Sequence, residues 1–214
     1  MRVKICGLMR PEDVRTALDS GADALGFVVS SPSSPRNLSL NAAHGLMKNV
    51  PVFATKVAVT SANDTKTVAK ICSKLKPDAL QLHRYQQQLV GLIRRKHPQT
   101  KLILAKAIRD RASLELASWI SRESDAVLAD SPSLSGMGGT GRTHDWHLTA
   151  TVRNRIYPHP LILAGGLTPI NVQQAIRKVR PFAVDVSSGV EKTIGVKDRN
   201  KIRNFIKKAK ENVD

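Results

Sequence analysis

The chain has 214 residues, of which 41% are hydrophobic, enough for one substantial core, and its longest apolar runs are far too short to span a bilayer. Lys and Arg number 34 against 17 acidic residues, a formal charge of +17, which turns attention to phosphate, either on a nucleic acid or on a small anionic substrate. Aromatic residues at 4% exclude the stacking platforms of single-strand binders, so the charge is read as a solvated basic face, with no specific nucleic-acid partner and no membrane expected.

The first strand is read in VKICG, after a Met1-Arg2-Val3-Lys4 start that lacks the long apolar run of a signal peptide. It carries Cys6. With Cys72 the only other cysteine, the pair reads as reduced thiols of a cytoplasmic protein, not as a disulfide framework. A helix follows in PEDVRTALDSG, with Pro11 in its first turn and Gly21 past its end. The second to fourth strands are ALGFVV, ATKVAV and ALQLH, alternating with the helical patterns SLNAAHGLMKNV, DTKTVAKICSKL and YQQQLVGLIRRKHP. The second half repeats the alternation: KLILAKAI, AVLAD, PLILAGG and AVDVSSG are strands, and RASLELASWISRES, DWHLTATVRNRIY and PINVQQAIRKVR are helices, Pro169 standing in a first turn. A last helix runs from Asp198 to about Val213.

Eight βα units whose strands are apolar on both faces predict a parallel sheet, and their number fits a closed (β/α)₈ TIM barrel as one compact domain over residues 1–214. A doubly wound open sheet is the competing arrangement. In a barrel, chemistry gathers at the C-terminal strand ends and the loops after them. Cys6, His83, Asp130, the glycines of 136–141, Gly165, Gly166, Ser187, Ser188 and Gly189 stand at or just beyond such ends, and Arg36 lies in the loop after the second strand.

The stretch GMGGTGRTHDW, residues 136 to 146, spells most of two phosphate motifs. It fails as a dinucleotide fingerprint because SPSLS separates it from the sixth strand and no acidic residue follows at the required distance. It fails as a triphosphate loop because Arg142 stands where that motif needs lysine. What survives is a glycine-rich loop able to turn N–H groups toward one anion. LAGGLTPINV after the seventh strand and VDVSSG after the eighth supply two more such loops, and together they point to a phosphorylated small molecule. The anion-binding candidates are Gly139, Thr140, Gly141, Gly165, Gly166, Ser188 and Gly189. Ser188 is preferred to Ser187 because neighbouring strand residues face opposite sides.

KICGL, RPEDV, GADALGFV, SPR, LQLH, GGTG followed by DW, LILAGGLTPINV and VDVSSGVE occur in this order along nearly the whole chain. In this combination the sequence closely resembles the phosphoribosylanthranilate isomerase family. The resemblance implies an Amadori rearrangement of N-(5-phosphoribosyl)anthranilate to 1-(2-carboxyphenylamino)-1-deoxyribulose 5-phosphate in tryptophan biosynthesis, with no metal and no organic cofactor. It implies Cys6 as general base and Asp130 as general acid, Arg36 as a fork on the anthranilate carboxylate, and Asp185 on substrate hydroxyl or amine groups. His83 is expected to reach substrate as a hydrogen-bonding residue. Three departures from the family pattern stand out: Arg84 where glycine usually follows QLH, LAD in place of LLD or VLD, and the Thr-Ser pair in VAVTSAN.

Cys72 is read as a buried small hydrophobe. His144, Asp145 and His147 lack a third ligand and are read as a helix start, with Thr143 or Asp145 at the cap. Two alternatives remain from the sequence: the related isomerase of histidine biosynthesis, which would be expected to use paired aspartates, and a basic nucleic-acid-binding barrel. Either a monomer or a homodimer fits the sequence.

Overall fold

A computed structural model describes residues 1–110, 112–131 and 145–211. Eight strands, β1 (Arg2–Ile5), β2 (Ala24–Val28), β3 (Thr55–Thr60), β4 (Ala79–Leu82), β5 (Lys101–Ala107), β6 (Ala126–Asp130), β7 (Leu161–Leu163) and β8 (Ala183–Val186), pair in sequence order. Every pairing is parallel, and β1 pairs with β8 from Arg2 against Ala183 to Ile5 against Val186. That closure is the predicted TIM barrel and overturns the doubly wound alternative. Eight helices alternate with the strands: α1 (Pro11–Asp19), α2 (Leu40–Met47), α3 (Thr65–Leu75), α4 (Gln87–Lys96), α5 (Ala112–Glu123), α6 (Trp146–Ile156), α7 (Val172–Val179) and α8 (Arg199–Lys210). Among the described residues no helix is long and apolar enough to cross a membrane.

The strands bury both faces, and the two faces build two separate cores. Outward-facing residues such as Val3, Ile5, Leu25, Phe27, Leu80 and Leu104 join the inner sides of the helices. Inward-facing ones, including Val28, Val57, Val59, Ile103, Leu128 and Ile162, fill the barrel lumen. The alternation is the period of two that a strand imposes.

Local signals set the helix starts. Pro11 opens α1 with Glu12 and Asp13 in its first turn. Ser39, Asp64, Asp145 and Asp198 cap α2, α3, α6 and α8, each accepting from a backbone N–H of its helix. Asp145 is therefore the α6 cap; Thr143 and His144 lie outside the described residues. Pro169 is a correction: it stands in a turn, and α7 begins only at Val172. The last helix also stops short of Val213, with Lys210 its final residue.

A repeated device at the N-terminal face ties odd strands to even ones. Asp23, Asp78 and Asp125 each precede an alanine that opens an even strand. Their carboxylates accept from the N–H groups of Val3 at 2.8 Å, Lys56 at 2.8 Å and Leu102 at 2.9 Å. Their own N–H groups return bonds to the carbonyls of the same three residues. Phe182 takes the fourth equivalent place, before Ala183, and makes the same backbone bond to Leu161 without the carboxylate. Arg2 instead stacks over its ring, 5.2 Å from the centroid.

After β8 the chain forms a short 3₁₀ turn (Ser188–Val190) and a small antiparallel hairpin that the sequence did not announce, β9 (Glu191–Thr193) and β10 (Val196–Lys197). This hairpin brings two charged residues, Glu191 and Lys197, to the barrel mouth.

Candidate active site

Strands β1, β4, β6 and β8 aim their polar residues into the lumen. On β1 the alternation that points Ile5 outward sends Lys4 and Cys6 inward. Asp185 is the register partner of Lys4 on β8, and Lys4 Nζ donates to its Oδ1 at 3.0 Å, with both residues buried. A carboxylate inside a strand requires such a partner, because an unpaired one would be expensive to bury. Cys6 sits just past the end of β1, where its N–H donates to the Val186 carbonyl. Gly26 on β2 leaves room for the thiol: a Cβ there would come within 2.8 Å of Sγ.

One cavity opens at the C-terminal mouth of the barrel. Cys6, Arg36, His83, Asp130, Asp185, Gly165, Gly166, Ser188 and Gly189 all line it. Nine candidates chosen from the sequence thus meet at one place. Gly139, Thr140 and Gly141 lie outside the described residues. Ser187 also lines the cavity, so the preference for Ser188 on strand alternation does not hold: β8 ends at Val186, and the rule lapses beyond it.

Burial raises the proton affinity of both leading groups in the cavity. Burial pushes the Asp130 carboxyl up to about 6, with the nearby charge of Asp185 adding to the effect. Burial also raises the Cys6 thiol above its ordinary value; the Lys4 ammonium is the strongest influence in the opposite direction. Lys4 itself suffers from burial, but the negative charges of Asp185 and Cys6 outweigh that cost and its pKa is raised. His83 is pushed down to about 4 by burial and by Lys4, so its imidazole is neutral at physiological pH. The Gln81 amide nitrogen lies 3.0 Å from His83 Nε2 and can only donate, which makes that ring nitrogen the acceptor and leaves Nδ1–H as the donor. Gln81 Oε1 is buried at the cavity without a protein partner among the described residues.

Arg36 reaches the mouth from the loop between β2 and α2. Its Nε and Nη2 donate to the two carboxylate oxygens of Glu191 at 2.7 and 2.6 Å, and Lys197 Nζ donates to the same carboxylate at 3.0 Å. The hydrogen bond to Glu191 raises the Arg36 pKa. Burial works against the Glu191 carboxylate, yet Arg36 and Lys197 hold its pKa down.

The loops after β7 and β8 form a glycine-lined wall. Gly165 and Gly166 have φ of +81° and +64°, and Gly189 packs so closely on Leu167 that a Cβ would run into the Leu167 carbonyl. Such backbone can approach a bulky anion with its N–H groups.

A family model described as N-(5'-phosphoribosyl)anthranilate (PRA) isomerase matches residues 3–208. The chain belongs to the phosphoribosylanthranilate isomerase family. An N-(5'-phosphoribosyl)anthranilate isomerase of Methanothrix thermoacetophila is 46% identical over 210 residues, covering 98% of each chain. Among solved structures, phosphoribosyl anthranilate isomerase from Thermotoga maritima is 37% identical with a TM-score of 0.85, again over 98% of each chain. A further phosphoribosyl anthranilate isomerase, in complex with reduced 1-(o-carboxyphenylamino)-1-deoxyribulose 5-phosphate, is 36% identical with a TM-score of 0.83 over 98% of each chain.

Within that family frame, Lys4, Gln81, Glu191 and Lys197 are polar residues at the site that the sequence reading passed over, as are Ser31 and Ser34 on the cavity wall. Lys4 was detectable as a charge two residues before Cys6 in a strand, hence on the same face. Glu191 closes the block VDVSSGVE, which carried the resemblance without suggesting a role for its last residue. Arg84, the departure after β4, is exposed and lines a neighbouring recess with Tyr85, Lys106 and Trp119, which shares His83 with the main cavity. Cys72 is buried on α3 and pushed up to about 11 by that burial, which fits the inert reading.

Proposed function

We propose that this protein is a cytoplasmic phosphoribosylanthranilate isomerase whose one barrel is the whole catalytic unit. It converts N-(5-phosphoribosyl)anthranilate to 1-(2-carboxyphenylamino)-1-deoxyribulose 5-phosphate in tryptophan biosynthesis by general acid–base catalysis. The observation that carries the assignment of roles is the convergence of Cys6 and Asp130 on one cavity. Asp130, as the carboxylic acid, gives its proton to the furanose oxygen as the C1–O bond breaks, with the anilino nitrogen supplying electrons to form the imine. Cys6, as the thiolate, takes the proton from C2 and leaves an enolamine, whose tautomerisation to the ketone completes the isomerisation. No electrons enter or leave, so the chemistry calls for no redox partner.

The remaining residues hold the substrate in register. Arg36 receives the anthranilate carboxylate, Asp185 and neutral His83 meet the sugar hydroxyl and amine groups, and the loops carrying Gly165, Gly166, Ser188 and Gly189 hold the phosphate. Gly139, Thr140 and Gly141, between β6 and α6 in the sequence, are assigned to the same phosphate. The test is to incubate purified protein with N-(5-phosphoribosyl)anthranilate and follow the loss of its fluorescence, with the ketose product confirmed by mass and chromatography. Turnover is expected; its absence in wild-type protein overturns the assignment. A purely nucleic-acid-binding barrel would instead show tight, steeply salt-dependent binding to duplex or single strands and no turnover.

A further inference from the structure

We infer that Glu191 is a positioning residue that gives the site its selectivity for an aromatic carboxylate, by fixing which edge of Arg36 faces the substrate. The inference rests on the reading of Arg36 as the carboxylate fork. A guanidinium presents two forked edges, and Glu191 occupies the one formed by Nε and Nη2. Nη1 makes no hydrogen bond among the described residues, and Arg36 lines the cavity. The Nη1–Nη2 end is therefore the edge offered to a second carboxylate.

The surroundings leave Arg36 little freedom to turn. Its backbone N–H donates to Ser34 Oγ at 3.2 Å. Its aliphatic stem passes over Gly7, where an added Cβ would stand 2.5 Å from Cδ. Glu191 is fixed in its turn: Lys197 Nζ holds its carboxylate, and Lys201 Nζ donates to its carbonyl at 2.8 Å. Arg36 and Lys197 bear two positive charges against one negative charge on Glu191, all three buried, so the cluster keeps one net positive charge for an arriving anion. Without Glu191 the two cations would repel each other and the arginine would lose its fixed orientation. A carboxylate on the substrate would then have to organise the fork as well as bind it.

The test compares two substrates, N-(5-phosphoribosyl)anthranilate and N-(5-phosphoribosyl)aniline, which lacks the carboxylate. Wild-type protein is expected to favour the first through KM. In Glu191→Gln the ratio of kcat/KM values between the two substrates falls by roughly tenfold or more, with the loss in KM for the carboxylate-bearing substrate. Arg36→Met also collapses that ratio, and adding Glu191→Gln to it brings no further narrowing, because the two residues act as one unit. Should Glu191→Gln fail to fold, Glu191→Asp keeps the charge, retracts the carboxylate by one methylene and is expected to narrow the ratio in the same selective way. A loss of equal size on both substrates, or no loss on either, overturns the inference. If active wild-type protein handles the two substrates alike, the carboxylate-fork reading of Arg36 fails, and this inference falls with it.

Discussion

Asp130 and Cys6 carry opposite demands on one proton economy. The proposed mechanism needs Asp130 protonated and Cys6 ionised, yet burial raises both pKa values. Near neutrality the prevailing free form is then ionised Asp130 with a protonated thiol, and the productive form is a minor tautomer carrying the same number of protons. Its share rises with pH up to about 6, stays level while the proton count is constant, and falls once the raised Cys6 pKa is passed. The pH profile of kcat/KM is accordingly expected to be a broad bell with its acidic limb near 6. Asp130→Asn removes that limb, and its residual rate climbs with pH until Cys6 is ionised. A limb near 6 that survives in Asp130→Asn would assign it to another group. The same burial gives the sign of the stability term: a raised carboxyl favours the folded state below its unfolded pKa, and that contribution fades as pH rises through about 6. Cys6 and Asp130 were legible as residue types at strand ends, but their roles came from the family resemblance. Their tuning was not legible, because it depends on Lys4 and Asp185, which are 181 residues apart in the chain and face each other only when β1 and β8 close the barrel.

At the scale of elements, the strand and helix alternation was readable because each strand is apolar on both faces and each helix is amphipathic. The closing of the sheet followed from counting units, and its parallel register followed from the fold type. The boundaries were less readable where glycine-rich loops run on from strands: β7 ends at Leu163, three residues before the end of the run PLILAGG. The β9–β10 hairpin was missed because two- and three-residue strands carry no usable periodicity. The aspartate clamps at Asp23, Asp78 and Asp125 were present in the sequence as Asp-Ala before every even strand except β8, a repeat visible once the strands are aligned. They lie at the opposite end of the barrel from the cavity, where strand ends serve stability. Asp125 accepts from Leu102 N–H and from Arg94 at 2.7 Å, so Asp125→Ala breaks both bonds. Thermal or urea unfolding should show a loss of about 1–3 kcal/mol while kcat and KM stay near wild type. A matching fall in kcat would mean that the two ends of the barrel are coupled.

The whole molecule carries its +17 charge around a site built for an anion. Such a field concentrates a substrate bearing a phosphate and a carboxylate near the mouth and is screened over about 10 Å at 0.1 M salt. Raising ionic strength is expected to lower kcat/KM, by up to about tenfold where association limits the reaction, with kcat little changed; a flat response would show that the excess charge serves something other than substrate capture. Of the stretch GMGGTGRTHDW, residues 136 to 144 lie outside the described residues, and only Asp145 and Trp146 are seen, at the start of α6. The central claim is that one cavity holds a base just past β1 and an acid on β6 for the same substrate. Its most direct test is turnover of N-(5-phosphoribosyl)anthranilate by wild type, Cys6→Ala and Asp130→Asn in parallel, with folding checked by circular dichroism. Wild type is expected to turn over, and each folded variant to lose on the order of a hundredfold or more in kcat. Full activity in both variants would contradict the account.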